Sequence, residues 1–464
     1  MYRVDQTIIQ KKTHAELYAF CDDTTRKANS LRNAVRFRQR QIFCGWDKQT
    51  RTPNEKEVFL EVDILKDARP SQIVKKNISY RAMDALLREN NNPDYFSGLP
   101  MQSAQQIVKD AINDFKNWFA SLKKYKRDPS GYTAKPRMPG YCRSGGHHSY
   151  VITNQDAVLY PVVNTTTGEF LGMELKLPLI KYRLPLNHLQ FGTNLKEVEI
   201  IPYYDAFIVS LTLELPDDDV TKSYKPNLAA VDFGADNIAA IVSTDAHCAV
   251  FKGGAILSNN QLFAKRKASA VSIITKGHEK MKAESNKLSR MSREHSNFNR
   301  DQMHKISRAI VSYCQEHKVG TLILGVNKQM KQKIDIGKTN NQNFVAIPFY
   351  KLRAMITYKA QDAGIRVVEQ EESYTSKADI TQQDKMPVYG DKDANTYRFS
   401  GKRVQRGMYR TKDGMLINAD CNGAANILRK AIPDAWDNCT DYHFLSTPIS
   451  YNFVKLDLGY KPTA

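Results

Sequence analysis

The sequence predicts an α+β and α/β multidomain protein: a β-rich module carrying a helical insert, followed by an α/β domain that carries a helical insert of its own. Three observations lead there. Residues 149 to 215 tend to alternate in polarity and are rich in β-branched side chains, as half-buried antiparallel strands are. Residues 14 to 45, 80 to 92 and 101 to 125 instead place apolar side chains at helical spacing. After residue 227 the pattern changes to short apolar runs separated by long polar stretches.

Bulk composition narrows the function. A chain of 464 residues exceeds one ordinary core and calls for two or three domains. With 68 Lys and Arg against 49 Asp and Glu, a net charge of +19 and a pI near 9.4, the expected partner is a polyanion. The seven cysteines (21, 44, 142, 248, 314, 421 and 439) are odd in number and form no CxxC. That argues against a disulfide framework or a zinc ribbon and for the reduced thiols of a cytoplasmic protein. Met1-Tyr2-Arg3-Val4-Asp5-Gln6 is not a signal-peptide run, and no apolar stretch approaches ~18 residues, so no membrane partner is expected.

In chain order, residues 1 to 15 read as a short strand. The helix from about 14 to 45 carries Arg26, Lys27, Arg32, Arg36, Arg38 and Arg40 on its polar face. The helix after Leu99-Pro100 has Ile107, Ile112, Phe115 and Phe119 at roughly helical spacing. A turn-rich basic stretch follows, from Lys123 through Lys135-Pro136-Arg137-Met138-Pro139 to Gly145-Gly146. Lys196 to Ile201 and Phe207 to Leu213 read as antiparallel strands, and residues 217 to 227 as a linker. Strands are then expected at Leu228 to Asp232, Ile238 to Val242 and Cys248 to Phe251. A polar helical region spans about 259 to 318, Thr321 to Gly325 is a buried strand, 347 to 362 a helix and Ile365 to Glu369 a fifth strand. Three strands, helix, strand, helix, strand is the order of a ribonuclease-H-like domain.

Two aspartates stand at chemically useful places in that order. Asp232 ends the first strand, where α/β sheets build their sites, and Gly234 lets the chain turn tightly beside it. A plain turn residue is the alternative. Asp420 opens a helix whose small residues at 423 to 425 allow close packing; an ordinary N-cap is the alternative there.

Ala229-Ala230-Val231-Asp232-Phe233-Gly234 resembles the first RuvC motif of the TnpB family, and Asn418-Ala419-Asp420-Cys421-Asn422-Gly423-Ala424-Ala425-Asn426-Ile427 resembles the third. Asn340-Asn341-Gln342-Asn343-Phe344, Ile347-Pro348-Phe349, Glu371 to Lys377 and Phe399 to Arg403 resemble one branch of it. The likeness covers residues 226 to 430. It is looser before them, in Leu99-Pro100, Gln102, Gln105 and Pro136-Arg137-Met138-Pro139. The resemblance implies a wedge-like β domain (1–15 and 128–225), a helical recognition domain (16–127), a RuvC-like nuclease domain (226–430) and a C-terminal tail (431–464). Within the nuclease domain it implies a basic helical insert (259–318) and a degenerate zinc-ribbon, target-nucleic-acid-binding region (378–416). It further implies an RNA-guided DNA endonuclease of the prokaryotic cytosol, with a guide RNA and target double-stranded DNA as partners. Two Mg2+ ions would be its cofactors, and transposon ends or a CRISPR array would lie in the same locus.

The sequence departs from the family in two ways. Gly325 stands where the second motif normally carries a glutamate, and residues 378 to 416 contain no cysteine but do contain Lys402, Arg403, Arg406 and Arg410. Two aspartates alone under-charge a two-ion site. Glu369, Glu371 and Glu372, however, end the fifth strand, which should lie ~4.8 Å from the fourth. The third carboxylate is therefore expected at Glu371 or Glu372. Alternation sends the two to opposite faces, so one should ligate, and the sequence leaves open which. Oxygen ligands favour Mg2+ over softer ions. Expected nucleic-acid contacts are Gln102, Gln105, Lys135, Arg137, Lys265, Arg266, Lys276, Lys280, Arg290, Arg293, Lys402, Arg403 and Arg406. Between 265 and 308 alone, twelve Lys or Arg face four acids. A non-cutting RNA-guided DNA binder and an RNA-independent transposase are the alternatives.

Overall fold

The computed structural model describes residues 2–214, 225–276, 285–327, 347–387 and 397–453. Two compact units divide the chain, Met1–Asp218 and Asp219–Ala464. Most of the predicted linker, like Lys280 and the segment Asn340 to Phe344, lies outside the described residues.

The first unit opens with β1 (Tyr2–Ile9) and the helices α1 (Ala15–Gly45), α2 (Pro53–Ala68), α3 (Tyr80–Glu89) and α4 (Met101–Arg127). Six strands follow: β2 (Tyr150–Thr153), β3 (Val158–Val163), β4 (Phe170–Lys176), β5 (Arg183–Leu186), β6 (Asn194–Tyr203) and β7 (Ala206–Glu214). They make a four-stranded sheet in the order β1-β7-β6-β2 and a three-stranded sheet β3-β4-β5. The first strand closes on the last, Tyr2 opposite Glu214 through Ile9 opposite Phe207. Helix α1 buries Leu17, Cys21, Ala28, Leu31, Val35 and Ile42, the stripe that the sequence periodicity predicts.

Two features of this unit depart from the sequence reading. The arginines of α1 are not a free polar face. Arg32 and Arg36 converge on Asp114, and Arg38 grips Glu61 through two nitrogens. Arg40 Nη1 donates to the Pro139 carbonyl (2.8 Å). Their acceptors lie on α2, α4 and the loop after α4, distant in sequence. Helix α2 is the second departure. Thr52-Pro53-Asn54-Glu55 carries its signal, a complete capping box with proline in the first turn. Thr52 Oγ1 accepts from Glu55 N (3.3 Å), and Glu55 Oε2 accepts from Thr52 N (2.9 Å). Thr52→Ala should therefore cost about 1 kcal/mol, read as a lower urea midpoint with unchanged slope.

The second unit is built on β8 (Asn227–Asp232), β9 (Asn237–Ser243), β10 (His247–Lys252), the helices α5 (Gly254–Thr275) and α6 (Asn286–Glu316), β11 (Val319–Val326), α7 (Phe349–Asp362) and β12 (Arg366–Glu371). Then come the short strands β13 (Lys402–Gln405), β14 (Met408–Arg410) and β15 (Leu416–Asn418), helix α8 (Ala419–Ala431) and β16 (Ile449–Tyr451). The main sheet runs β12-β11-β8-β9-β10-β16. Antiparallel pairing joins β8, β9 and β10, and parallel pairing joins β8, β11 and β12. This is the predicted ribonuclease-H-like order with one strand added. Side-chain alternation divides the core in two. Ala229, Val231, Leu322 and Leu324 face α6 and α7, whereas Ala230, Ala240, Val242 and Ile323 face α8.

Residues 431 to 453 are not a free tail. β16 pairs in parallel with β10, and Trp436, Leu445 and Phe453 are buried. In place of a zinc ribbon, β13, β14 and β15 form a small antiparallel sheet tied down by carboxylates. Buried Asp379 accepts from Thr381 N, Thr381 Oγ1 and Lys412 N (3.0, 2.7 and 2.8 Å). Asp384 accepts from Asp379 N and Ser400 N (2.9 and 2.8 Å). All seven cysteines are free thiols. No helix among the described residues is long and apolar enough to cross a membrane.

Candidate active site

The site forms on the α8 face of the main sheet, at the carboxyl ends of β8 and β11. Asp232 is the last residue of β8 and shares its face with Ala230. Helix α8 lies directly against it. Asp232 Oδ2 comes within 2.5 Å of the point where a Cβ on Gly423 would stand, so only glycine permits this approach. The helix is pinned in place by Asn422 and Asn426, whose Nδ2 atoms both donate to the Ala378 carbonyl at 2.8 Å.

Asp420 lies one turn before Gly423 on that helix. It does not cap it: Asn418 does, its Oδ1 accepting from Asp420 N and Cys421 N at 3.0 and 3.1 Å. The Asp420 carboxylate is thus released to face the sheet, where Oδ2 accepts from Asn237 Nδ2 (2.7 Å) and Oδ1 lies 3.4 Å from Arg403 Nη2. Positions three apart on a helix have Cβ atoms ~5–6 Å apart. Asp232 Oδ2, 2.5 Å from the Cβ position of Gly423, is therefore roughly 8.5 Å at most from the Asp420 Cβ.

The two candidate glutamates part company. Gly325 in β11 stands opposite Gln370 in β12, and Glu372 follows on the same face two residues later. Glu372 Oε2 lies 2.9 Å from where a Cβ on Gly325 would be. Shielded from solvent, that oxygen has no hydrogen-bond partner. The glycine where an acid was expected is the space that Glu372 fills. Glu371 is turned to other work: its carboxylate accepts from Lys430 Nζ (2.7 Å) and Ser373 N (2.6 Å). Exposed Glu369 lies 3.6 Å from Arg353.

Electrostatics separates them in the same way. Burial, then the charges of Glu372 and Asp420, hold the Asp232 carboxyl well above the usual range. Burial, then Glu371, pushes Glu372 up to about 7. Burial would also raise Glu371, but the Lys430 and Ser373 hydrogen bonds outweigh it and hold its pKa below normal. For Glu372 the folded state keeps its proton to higher pH than the unfolded chain. The metal-free protein should therefore lose stability as pH rises from about 4.5 to about 7, by roughly 3 kcal/mol from this group. Chemical denaturation across that range checks this, and Glu372→Gln should flatten the profile.

Sequence reading missed Asn237 and the role of Gly423, and it read Arg403 and Arg406 as nucleic-acid contacts without placing them beside the acids. Asn237, buried at the start of β9, orients Asp420. Arg406 pairs with Asp236, and Arg403 faces Asp420, which brings the β13–β14 hairpin to the carboxylates. Gly423 was read as a packing residue, not as the seat of Asp232.

Lys135, Arg137, Lys265, Arg266, Lys276, Lys402, Arg403 and Arg406 are exposed. Arg290 is exposed 3.9 Å from Glu294, and Arg293 is half-buried with partners of its own. Gln102 is engaged by Gln155 and Thr153, and Gln105 by Tyr95.

The sheet order places the fold in the ribonuclease-H-like class, with half-buried Asp232 and Glu372 at its strand ends and Asp420 on the helix packed against them. Comparison with known proteins shows what parts of the chain are similar to. Residues 210–331 match the model of the OrfB_IS605 family, described as "Probable transposase", and residues 349–427 match that of the Cas12f1-like TNB domain. The CRISPR-associated endodeoxyribonuclease Cas12f1 of Sulfoacidibacillus thermotolerans is 31% identical over 30% of this chain and 28% of its own length. The TnpB-like protein ORF457 of Acidianus two-tailed virus is 26% identical over 46% of this chain and 44% of its own. This chain thus matches less than half the length of either relative. A solved Cas12f1–sgRNA–target DNA complex aligns with 93% of this chain and 100% of that chain, at 12% identity and a TM-score of 0.33. Residues 210–331 and 349–427 are thus similar to these two family models, and parts of the chain are similar to a Cas12f1 and a TnpB-like protein, which is consistent with the TnpB family.

Proposed function

We propose that this protein is an RNA-guided DNA endonuclease whose RuvC-type site is completed by Glu372. The observation that carries this reading is the Glu372 carboxylate, which fills the space left by Gly325 on the same face as Asp232. Half-buried acids that repel one another, one with an orphaned oxygen, fit a divalent cation: its charge would offset the repulsion and its coordination would satisfy the oxygen. Asp232, Asp420 and Glu372 would hold two Mg2+ ions. Bound there, the ions would supply an activated water and stabilise the leaving oxygen of the cut strand.

The chain's own residues do the rest. Asn237 fixes the Asp420 carboxylate, and Gly423 keeps Asp232 against α8. Arg403, now opposite Asp420, would exchange that carboxylate for a phosphate of the bound strand, with Lys402 and Arg406 on neighbouring phosphates. Lys265, Arg266, Lys276, Lys280, Arg290 and Arg293 would track the guide–target duplex through its backbone. Lys135 and Arg137 would serve RNA or the flanking duplex. Gln102 and Gln105 would first have to release their protein partners to do the same. Such a nuclease would work in the cytosol on target double-stranded DNA, its guide RNA encoded beside transposon ends or a CRISPR array.

The test is to sequence RNA that co-purifies with the protein and then assay cleavage of matching DNA with Mg2+. A discrete guide and cutting that Asp232→Ala abolishes are expected. Binding without cutting would make the protein an RNA-guided binder. Activity without RNA would make it a transposase.

A further inference from the structure

At the opposite end of the main sheet's strands, three side chains meet that the nuclease reading does not use. Asp245 lies in the turn between β9 and β10, His247 opens β10, and His317 is the residue on which α6 ends. Their ligand atoms all lie within 4.8 Å of one another. His317 Nδ1 is 2.7 Å from Asp245 Oδ2, and His247 Nδ1 is 3.4 Å from the same oxygen. The two imidazoles lie against each other with ring centres 4.4 Å apart, and Tyr313 backs His317 at 4.2 Å.

The surroundings are those of a supported ligand set. The Ser243 hydroxyl holds the other oxygen of Asp245, Oδ1, and is itself 2.9 Å from the hydroxyl of buried Tyr313. One carboxylate oxygen is thereby oriented from behind while the second points between two ring nitrogens, the usual arrangement of an outer-shell partner. The cluster also sits at the carboxyl end of α6, a 31-residue helix whose terminal dipole favours a cation. His247 is about half exposed, which leaves room for water as a further ligand.

We propose that Asp245, His247 and His317 form a binding site for a borderline divalent transition metal of the Zn2+ class. Two imidazoles and one carboxylate suit such an ion and suit Mg2+ poorly. Binding through the two Nδ1 atoms leaves each neutral ring with its proton on Nε2 and replaces the Asp245–His317 hydrogen bond with metal–ligand bonds. The site is structural: it clamps the β9–β10 turn to the end of a helix that arrives some seventy residues later. It stands independently of any nuclease activity.

The test uses the full chain, stripped with a chelator, with Zn2+ titrated by calorimetry and Co2+ by visible absorption. An Asp420→Ala background keeps ions out of the other carboxylate cluster. One ion per chain is expected, with the intense bands of a low-coordinate Co2+ site and no competition from millimolar Mg2+. His317→Gln and His247→Ala should each weaken binding at least ~10-fold, since loss even of outer-shell support costs 10- to 100-fold. Zn2+ should raise the thermal midpoint of the parent and not of the variants. If His317→Gln fails to fold, exposed His247 decides. Absence of a saturable ion, or unchanged affinity in His247→Ala, overturns the proposal.

Discussion

Glu372→Gln will abolish cleavage, by roughly 10³-fold or more, about 4 kcal/mol of lost transition-state stabilisation, whereas Glu371→Gln will leave it within a few-fold of the parent. The two residues are adjacent and chemically identical, so the contrast rests on position alone. Glu372 is on the face of Asp232 and fills the gap at Gly325. Glu371 is neutralised by Lys430 and held by Ser373 N. Glutamine preserves the volume of Glu372 and removes its charge, so folding should survive while divalent-ion affinity falls. Single-turnover cleavage at saturating Mg2+ measures the first effect, and Mn2+ binding the second. Equal losses in both variants would mean that the site draws on the other glutamate as well.

Gly423→Ala will cost activity without costing stability. The added methyl would stand 2.5 Å from Asp232 Oδ2, well inside contact distance. The carboxylate must move by about 1 Å, and a shift of that size at a reacting centre costs on the order of 10²-fold in rate. Alanine is the better helix former by about 1 kcal/mol, so the thermal midpoint should hold or rise. A fall in rate together with an unchanged or higher midpoint separates displacement of the site from damage to the fold. Gly325→Glu, which formally restores the absent acid, should inactivate as well, because its Cβ would meet Glu372 Oε2 at 2.9 Å and the Val231 carbonyl at 3.1 Å.

The parts of this architecture legible in the sequence were those carried by local pattern. Short apolar runs marked the strands of the main sheet, and Asp232 and Asp420 stood at the ends of recognisable elements. Small residues at 423 to 425 announced close helix packing, although not that Gly423 would seat a carboxylate. Choosing between Glu371 and Glu372 was beyond the sequence, since it depends on the β11–β12 register and on the reach of Lys430 from α8. Arg32, Arg36, Arg38 and Arg40 looked free because the groups that engage them across the fold lie 23 to 104 residues away. Asn237 gave no signal, being an ordinary hairpin residue until α8 brings Asp420 to it. Helix α2 did carry one, in its capping box, and β16 could not be foreseen from three residues whose pairing is wholly non-local.

In the proposed site Asp232, Glu372 and Asp420 share divalent ions. Anomalous scattering from Mn2+ in crystals of the protein bound to nucleic acid tests it most directly. Two Mn2+ peaks about 3.5–4 Å apart, touched by these three carboxylates with Glu371 still on Lys430, are the predicted result. Peaks ligated by Glu371, or two ions bound with Glu372 outside their coordination, would contradict it.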